Sequence, residues 1–507
     1  MNTSVLLERN ARKFKDKTAL FFMGHEMTYQ TLNERVNQCA NALKGKGVQQ
    51  GDKVILFLPN VPEFAISLLA VHRLGAVAAP VNARLTASEL SYIIEHSEAT
   101  TFITHELLFE AARNLPEEHS DLTYIKTGDP TSRFEAFDQV VASASPEAVP
   151  CDLGDDELAT LLYTSGTTGK PKGVLFSYRN IMAVATMMAV ETEMKPESRM
   201  LHMMPLSHSA PLHLFFVAGL YVGASHVLHP TFTPDDLLTV TENTRPTHFF
   251  GAPVAYLLTA QSEKLPQTDL SSVKWWIYGG APLSAAEVGM IQNAFNTDRL
   301  MCVYGLTEAG PSGTLLAPHE HGQKSGSIGC RAALNTEIEL LDEHGEPAAA
   351  GEVGEIALRG EGNMVGYFKD EEKTRTTYQG DWLLTGDMAR KDEDGYYWVV
   401  DRKKDMIISG GVNVYPKEIE DVLKIHPDIQ DAAIIGVPHP EWGESIKAFV
   451  VAKETLDAPQ ALIRTFLEDK IAAYKIPHLA EQVADLPRNP TGKILKQELR
   501  NKEENVS

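Results

Sequence analysis

YTSGTTGKPKGVLFSYRN, residues 163–180, decides how the rest of the chain is read. Glycines, hydroxyl side chains and the lysines Lys170 and Lys172 fill the stretch between an apolar run at 158–162 and an apolar segment at 181–190. The pattern predicts a strand, a loop, then a helix. Glycine lets backbone N–H groups approach an anion, hydroxyls donate further hydrogen bonds, and lysines add positive charge, so the composition suits a polyphosphate. An ordinary mobile surface loop has the same composition. The Gly-Lys-Ser/Thr phosphate-loop pattern is not met, because Lys170 is followed by Pro171.

Outward from that stretch, 507 residues are too many for one core and imply about two to four domains. A net charge of −22 argues against a nucleic-acid partner held through its phosphates and favours a soluble, globular chain. Cys39, Cys151, Cys302 and Cys330 are scattered, form no metal-type pair or disulfide framework, and read as free thiols in a reducing compartment. The N-terminus carries polar and acidic residues where a secretion signal needs an apolar core, so a cytoplasmic location is expected.

The most apolar region, residues 54–83, is broken by Pro59, Glu63, His72, Arg73 and Pro80, which excludes a membrane span. It reads as strand, helix, strand. Short buried strands continue at 100–104, 122–127, 225–228, 248–250 and 275–278, separated by helical stretches. Such alternation predicts doubly wound α/β layers with parallel sheets. From 326 to 400, TEIELLD, GEIALRG and YYWVV alternate between turns, which predicts a small antiparallel β unit. The end, about 403–507, predicts an α+β domain with helices at 417–424 and 459–473, strands at 429–437 and 446–452, and a frayed tail at 502–507.

Five motifs stand in a fixed order: YTSGTTGKPKGV at 163–174, YGLTE at 304–308, LTGD at 384–387, VVDRKKDMIISGGVNVYPKEIE at 399–420 and PRNPTGKILK at 487–496. With them the chain resembles the adenylate-forming superfamily of acyl-CoA synthetases, luciferases and peptide-synthetase adenylation domains, most closely the bacterial fatty acyl-CoA ligases. The resemblance implies two doubly wound α/β subdomains plus the β unit in residues 1–402, and a mobile C-terminal domain, 403–507, turning on a hinge near Lys404. It also implies ATP, Mg²⁺ and coenzyme A as reactants or cofactors.

Residue by residue, the resemblance makes Thr164, Ser165, Gly166, Thr167, Thr168, Gly169 and Lys172 a loop over the β- and γ-phosphates. Tyr304 would lie against adenine, Gly305 would belong to the same nucleotide-binding set, and Thr307 would stand at the α-phosphate and Glu308 on Mg²⁺. Read without the family, Tyr304 is equally a core residue and Glu308 a solvated helix start. Asp387 would accept the ribose hydroxyls, and Arg402 would contact nucleotide. Alone, Asp387 reads as a turn aspartate. Gly410 and Gly411 would line the pantetheine path, although two glycines also make a plain β-turn. Lys493 would reach the charge developing between carboxylate and α-phosphate.

His208 in MPLSHSAPLH matches the family position beside the substrate carboxylate, while a lone histidine is otherwise structural. Gly280 and Ala281 would lie between the adenine and acyl pockets. Ser207, Ser209 and Ala210 supply no charge for an amino-acid substrate. Phe249, Phe250, Gly251, Ala252, Leu212 and Phe215 are the expected apolar pocket wall. Ser177 and Tyr178 depart from the family's Thr-His and are expected to alter the pocket floor.

The activity so implied is ATP-dependent ligation of a carboxylic acid, a medium- or long-chain fatty acid, to coenzyme A through an acyl-AMP. An aryl acid, or a carrier protein as acceptor, stays open, and a non-catalytic nucleotide-binding regulator is the rival class. A homodimer is the assembly considered.

Overall fold

The computed structural model describes residues 2–164, 170–349, 351–409, 412–440, 442–468, 470–488 and 494–504. The chain forms two compact units, Met1–Ile338 with Leu358–Leu383, and Glu339–Ala357 with Leu384–Ser507.

In the first unit the alternating strands and helices become two large sheets. One has eight strands in the order Gly366–Tyr367, Lys172–Ser177, Leu158–Thr164, Val77–Pro80, Lys53–Phe57, Ala99–Thr104, Thr123–Lys126, Glu135–Ala136. From Leu158–Thr164 onward neighbouring strands run parallel. Val54, Ile55, Leu56 and Phe57 are all buried, as a parallel strand covered on both faces requires. The helix Pro62–Arg73 starts with proline at its first turn and buries every residue from Phe64 to Arg73. That burial between layers is why 54–83 is so apolar.

The second sheet has nine strands, ordered Arg331–Ala332, Thr314–Leu316, Leu300–Tyr304, Trp275–Gly279, His248–Gly251, Arg199–His202, Ser225–Leu228, Thr18–Phe22, His25–Thr28. Its last two strands form an N-terminal hairpin, turning through Met23 and Gly24 at positive φ, that the apolar pattern does not reveal. The parallel, doubly wound class is as expected.

The strand–loop–helix expectation at 158–190 is corrected. Between loop and helix lies a second strand, Lys172–Ser177, antiparallel to Leu158–Thr164 with Thr164 opposite Lys172. Val174 and Phe176 alternate into the core, and a period of two over six residues is too short to stand out beside a glycine-rich loop. The helix follows at Tyr178–Glu191, its start closed by a Ser177–Asn180 capping box.

A third, antiparallel sheet orders Thr336–Leu341, Val353–Gly360, Trp382–Lys391 and Tyr378–Gln379, with Tyr397–Arg402 also on Trp382–Lys391.

In the second unit, Gly443–Ala452 pairs with Ile429–His439, Ile407–Ser409 and Leu479–Gln482. Ile434 and Ile446 face the helices Pro416–Leu423 and Pro459–Leu467, whereas Ile435 and Phe449 face Leu499 of the helix Lys496–Glu504. Successive strand residues point to opposite faces, so both sides of this sheet need cover. That need corrects the frayed tail: the helix continues through residues 502–504, and 505–507 lie outside the described residues. The helix expected at 459–473 ends at Leu467.

Candidate active site

The strands Arg199–His202, His248–Gly251, Trp275–Gly279 and Leu300–Tyr304 run parallel. Their carboxyl ends therefore share one edge, where open α/β sheets bind ligands. Tyr304 ends its strand half-buried, and the chain turns at once. A Cβ on Gly305 would stand 2.0 Å from the Pro311 oxygen, and one on Gly310, at φ +72°, 2.2 Å from the Gly362 oxygen. No side chain fits either position. Gly280 and Ala281 are exposed at the end of the neighbouring strand, with Gly280 at φ +88°.

Thr307 and Glu308 sit in the short 3₁₀ turn Thr307–Ala309. Ser209 donates to Thr307 Oγ1 at 3.2 Å. Tyr367 donates its hydroxyl to Glu308 Oε1 at 2.9 Å, and the Met364 amide donates to the Glu308 carbonyl at 2.8 Å. Burial and the adjacent Glu308 carboxylate both raise the Tyr367 pKa, so the phenol keeps its proton. Glu308 is thus a braced carboxylate and not a solvated helix start.

The same Tyr367 ring lies 5.6 Å from Lys172 Nζ, a cation–π distance. Tyr367 gets there because Gly366–Tyr367 pairs with the strand Lys172–Ser177, Tyr367 opposite Val174. One aromatic residue therefore joins the lysine of the glycine-rich stretch to the YGLTE carboxylate. Sequence reasoning misses it, since 59 residues separate Tyr367 from Glu308. Thr164 is half-buried at the strand end, and Ser165, Gly166, Thr167, Thr168 and Gly169 lie outside the described residues. The loop's flanks are held by Tyr163 to His96 Nδ1 at 2.9 Å and by Tyr92 to the Pro171 carbonyl at 3.2 Å.

His208 pairs through Nε2 with Asn82 Nδ2 at 3.1 Å, and burial lowers its pKa. After it the chain enters a π-helix, Ala210–Val217, a rare geometry often found at functional sites. Phe215 stacks on Phe250 with centroids 4.8 Å apart and planes at 20°. Phe249 is not beside them: it packs on Tyr256 and Trp276 in the core, because adjacent strand residues face opposite ways. The expected change of pocket floor at Ser177 and Tyr178 is also corrected. Ser177 caps a helix, and fully buried Tyr178 donates to the His72 carbonyl at 3.0 Å.

In the second unit, Asp387 and Arg402 stand directly opposite on paired strands, and Arg402 Nε meets Asp387 Oδ1 at 2.7 Å. Asp387 lies in an extended strand, so its basic partner is supplied across the sheet and not by Arg390 or Lys391, three and four residues on. Arg402 also donates to the Thr385 carbonyl at 3.2 Å. Beside them Glu355, buried, accepts from the Gly386 amide at 2.9 Å and pairs with Lys403 at 2.7 Å. Lys404 is exposed in the turn Lys403–Asp405, and Asp405 pairs with Arg500 at 3.1 Å.

Gly410, Gly411 and Lys493 lie outside the described residues. The strands flanking the two glycines pair with Ser409 opposite Val412. C-terminal to Lys493, Lys496 pairs at 2.8 Å with Glu420, both side chains about nine-tenths buried. Among the described residues no group of three His, Cys, Asp or Glu side chains is placed to hold a metal ion, and no helix is long and apolar enough to cross a membrane.

Residues 7–368 match the AMP-binding enzyme family and residues 418–493 its C-terminal domain. A feruloyl-CoA synthase of Amycolatopsis sp is 36% identical over 497 residues, covering 97% of each chain. A long-chain-fatty-acid–CoA ligase of Bacillus subtilis (strain 168) is 33% identical over 524 residues, covering 97% of this chain and 93% of its own. The crystal structure of the anthranilate CoA ligase AuaEII in complex with anthranoyl-AMP superposes with a TM-score of 0.89 at 30% identity, covering 100% of this chain and 98% of the other. The chain belongs to the AMP-binding enzyme family, the adenylate-forming superfamily, and is an AMP-forming acid–thiol ligase.

Proposed function

We propose that the protein joins an apolar carboxylic acid, a medium- or long-chain fatty acid, to coenzyme A. ATP and the acid give acyl-AMP and pyrophosphate, and thiolate attack on the acyl carbon then gives acyl-CoA and AMP. The observation that carries this reading is the Lys172–Tyr367–Glu308 group beside Thr307, in which a cation from the eight-stranded sheet meets a braced carboxylate and a hydroxyl that follow a strand of the nine-stranded one, as a polyphosphate needs. Lys493 and Thr307 steady the charge developing at the α-phosphate, Tyr304 and Gly305 receive adenine, and Asp387 with Arg402 receives ribose.

A magnesium ion suits Glu308. Such an ion takes one or two carboxylates and fills its remaining positions with phosphate oxygens and water, and Tyr367 already orients this carboxylate. The metal, when bound, shields phosphate charge. Rotation at Lys404, bringing Lys493 to the first step and Gly410 and Gly411 to the second, belongs to the same proposal.

A specific observation favours a second reading of the acid. The flat Phe215–Phe250 stack suits an aryl acid, as in the feruloyl- and anthranilate-activating relatives. Pyrophosphate release with free coenzyme A, measured over fatty acids of rising length and over cinnamic- and benzoic-type acids, decides between the two. No release with any acid removes the proposal, and release without acyl-CoA formation points to a carrier protein as acceptor.

A further inference from the structure

We propose that Asn82 is a positioning residue that holds His208 as a neutral imidazole with its hydrogen on Nδ1, so that His208 offers the acyl group a hydrogen-bond donor and never a base. The inference rests on the reading that His208 stands beside the acid's carboxylate.

Asn82 follows the strand Val77–Pro80 of the eight-stranded sheet, and His208 follows Arg199–His202 of the nine-stranded one. Packing of the two sheets within the first unit brings them to 3.1 Å. Which end of the amide faces the ring is settled by Asn82's other contact. Its Oδ1 accepts the Arg84 backbone N–H at 2.9 Å, so the NH₂ end faces His208 Nε2. An NH₂ group only donates, hence Nε2 is the lone-pair nitrogen and the ring hydrogen resides on Nδ1. An imidazolium would set two donors against each other. Burial of His208 also favours the uncharged ring.

The chemistry follows from that assignment. In the thioester step the sulfur–carbon bond forms, negative charge grows on the acyl oxygen, and the carbon–oxygen bond to AMP breaks as AMP leaves. A fixed N–H steadies that oxygen. Neither ring nitrogen is free to take the thiol proton, since one carries hydrogen and the other accepts from Asn82. The proton goes to water, and coenzyme A attacks as thiolate.

Long-range ¹⁵N–¹H correlation on the histidine-labelled enzyme, with the His208 signals assigned by their loss in His208→Gln, reads the tautomer directly. Hydrogen on Nδ1 is expected, and hydrogen on Nε2 overturns the proposal. Asn82→Ala removes the donor without adding charge and frees the ring to carry its hydrogen on Nε2, so the same spectra should then show hydrogen on Nε2. Acyl transfer from preformed acyl-adenylate should fall about fivefold with it. A folded Asn82→Ala enzyme whose His208 keeps its hydrogen on Nδ1 alone overturns the positioning role of Asn82. Wild-type rates in His208→Ala remove instead the reading that puts His208 at the acyl group.

Discussion

Replacing Tyr367 by phenylalanine removes one hydroxyl and leaves the ring that seats Lys172 5.6 Å away. The lost bond is the 2.9 Å donation to the Glu308 carboxylate. A hydrogen bond to a charged group is worth about 1.5–3 kcal/mol, which is roughly 10- to 150-fold in an equilibrium or rate. Glu308 then loses its orientation while its charge remains. We expect kcat/KM for MgATP in acid-dependent pyrophosphate release to fall within that range. The dissociation constant for MgATP, measured by calorimetry, should rise in parallel. Acyl transfer from preformed acyl-adenylate should be unchanged, because phosphate handling is complete by then. Tyr378→Phe is the control: that hydroxyl donates to the Met364 carbonyl at 2.9 Å, so its loss should leave MgATP affinity nearly untouched. A folded Tyr367→Phe enzyme with wild-type MgATP affinity, or an equal effect of Tyr378→Phe, would refute the bracing of Glu308.

The other predictions address the second unit and the core. Lys493→Ala should cripple adenylation yet spare thioester formation from supplied acyl-adenylate; equal loss in both half-reactions, measured by single turnover, would oppose the alternating roles. Fully buried His72, His202 and His213 have pKa values lowered by burial from 6.5 to about 4, 3 and 3. The unfolded chain binds protons below pH 6.5 that the folded one refuses. Stability is therefore full above that pH, declines as pH falls, and stops declining on this account below about 3. At pH 5 each histidine costs about 2 kcal/mol, so the thermal midpoint should drop clearly between pH 7.5 and 5. An unchanged midpoint would show that these rings titrate normally.

Much of this architecture is legible in the chain, because its cues are local. The apolar run at 54–57 needs only its own composition to read as a covered strand, and the five motifs lie in order along the sequence. Even so, the strand Lys172–Ser177 escapes notice, since its short alternation is lost beside glycines and hydroxyls. Phe249 and Phe250 carry the same side chain, and only the strand's register turns the first into the core and the second toward Phe215.

By itself the sequence determined the α/β layering and the family, and supplied the residue types proposed to handle phosphate and acid, because propensity, periodicity and motif spacing act over a few residues. Only the tertiary structure decided that Glu308 is braced by Tyr367, that Asp387 is answered by Arg402, and that Asn82 assigns the His208 hydrogen. Each of those partners lies 15 or more residues away. Strand register and the packing of separate layers, which no local pattern encodes, bring them within hydrogen-bonding reach.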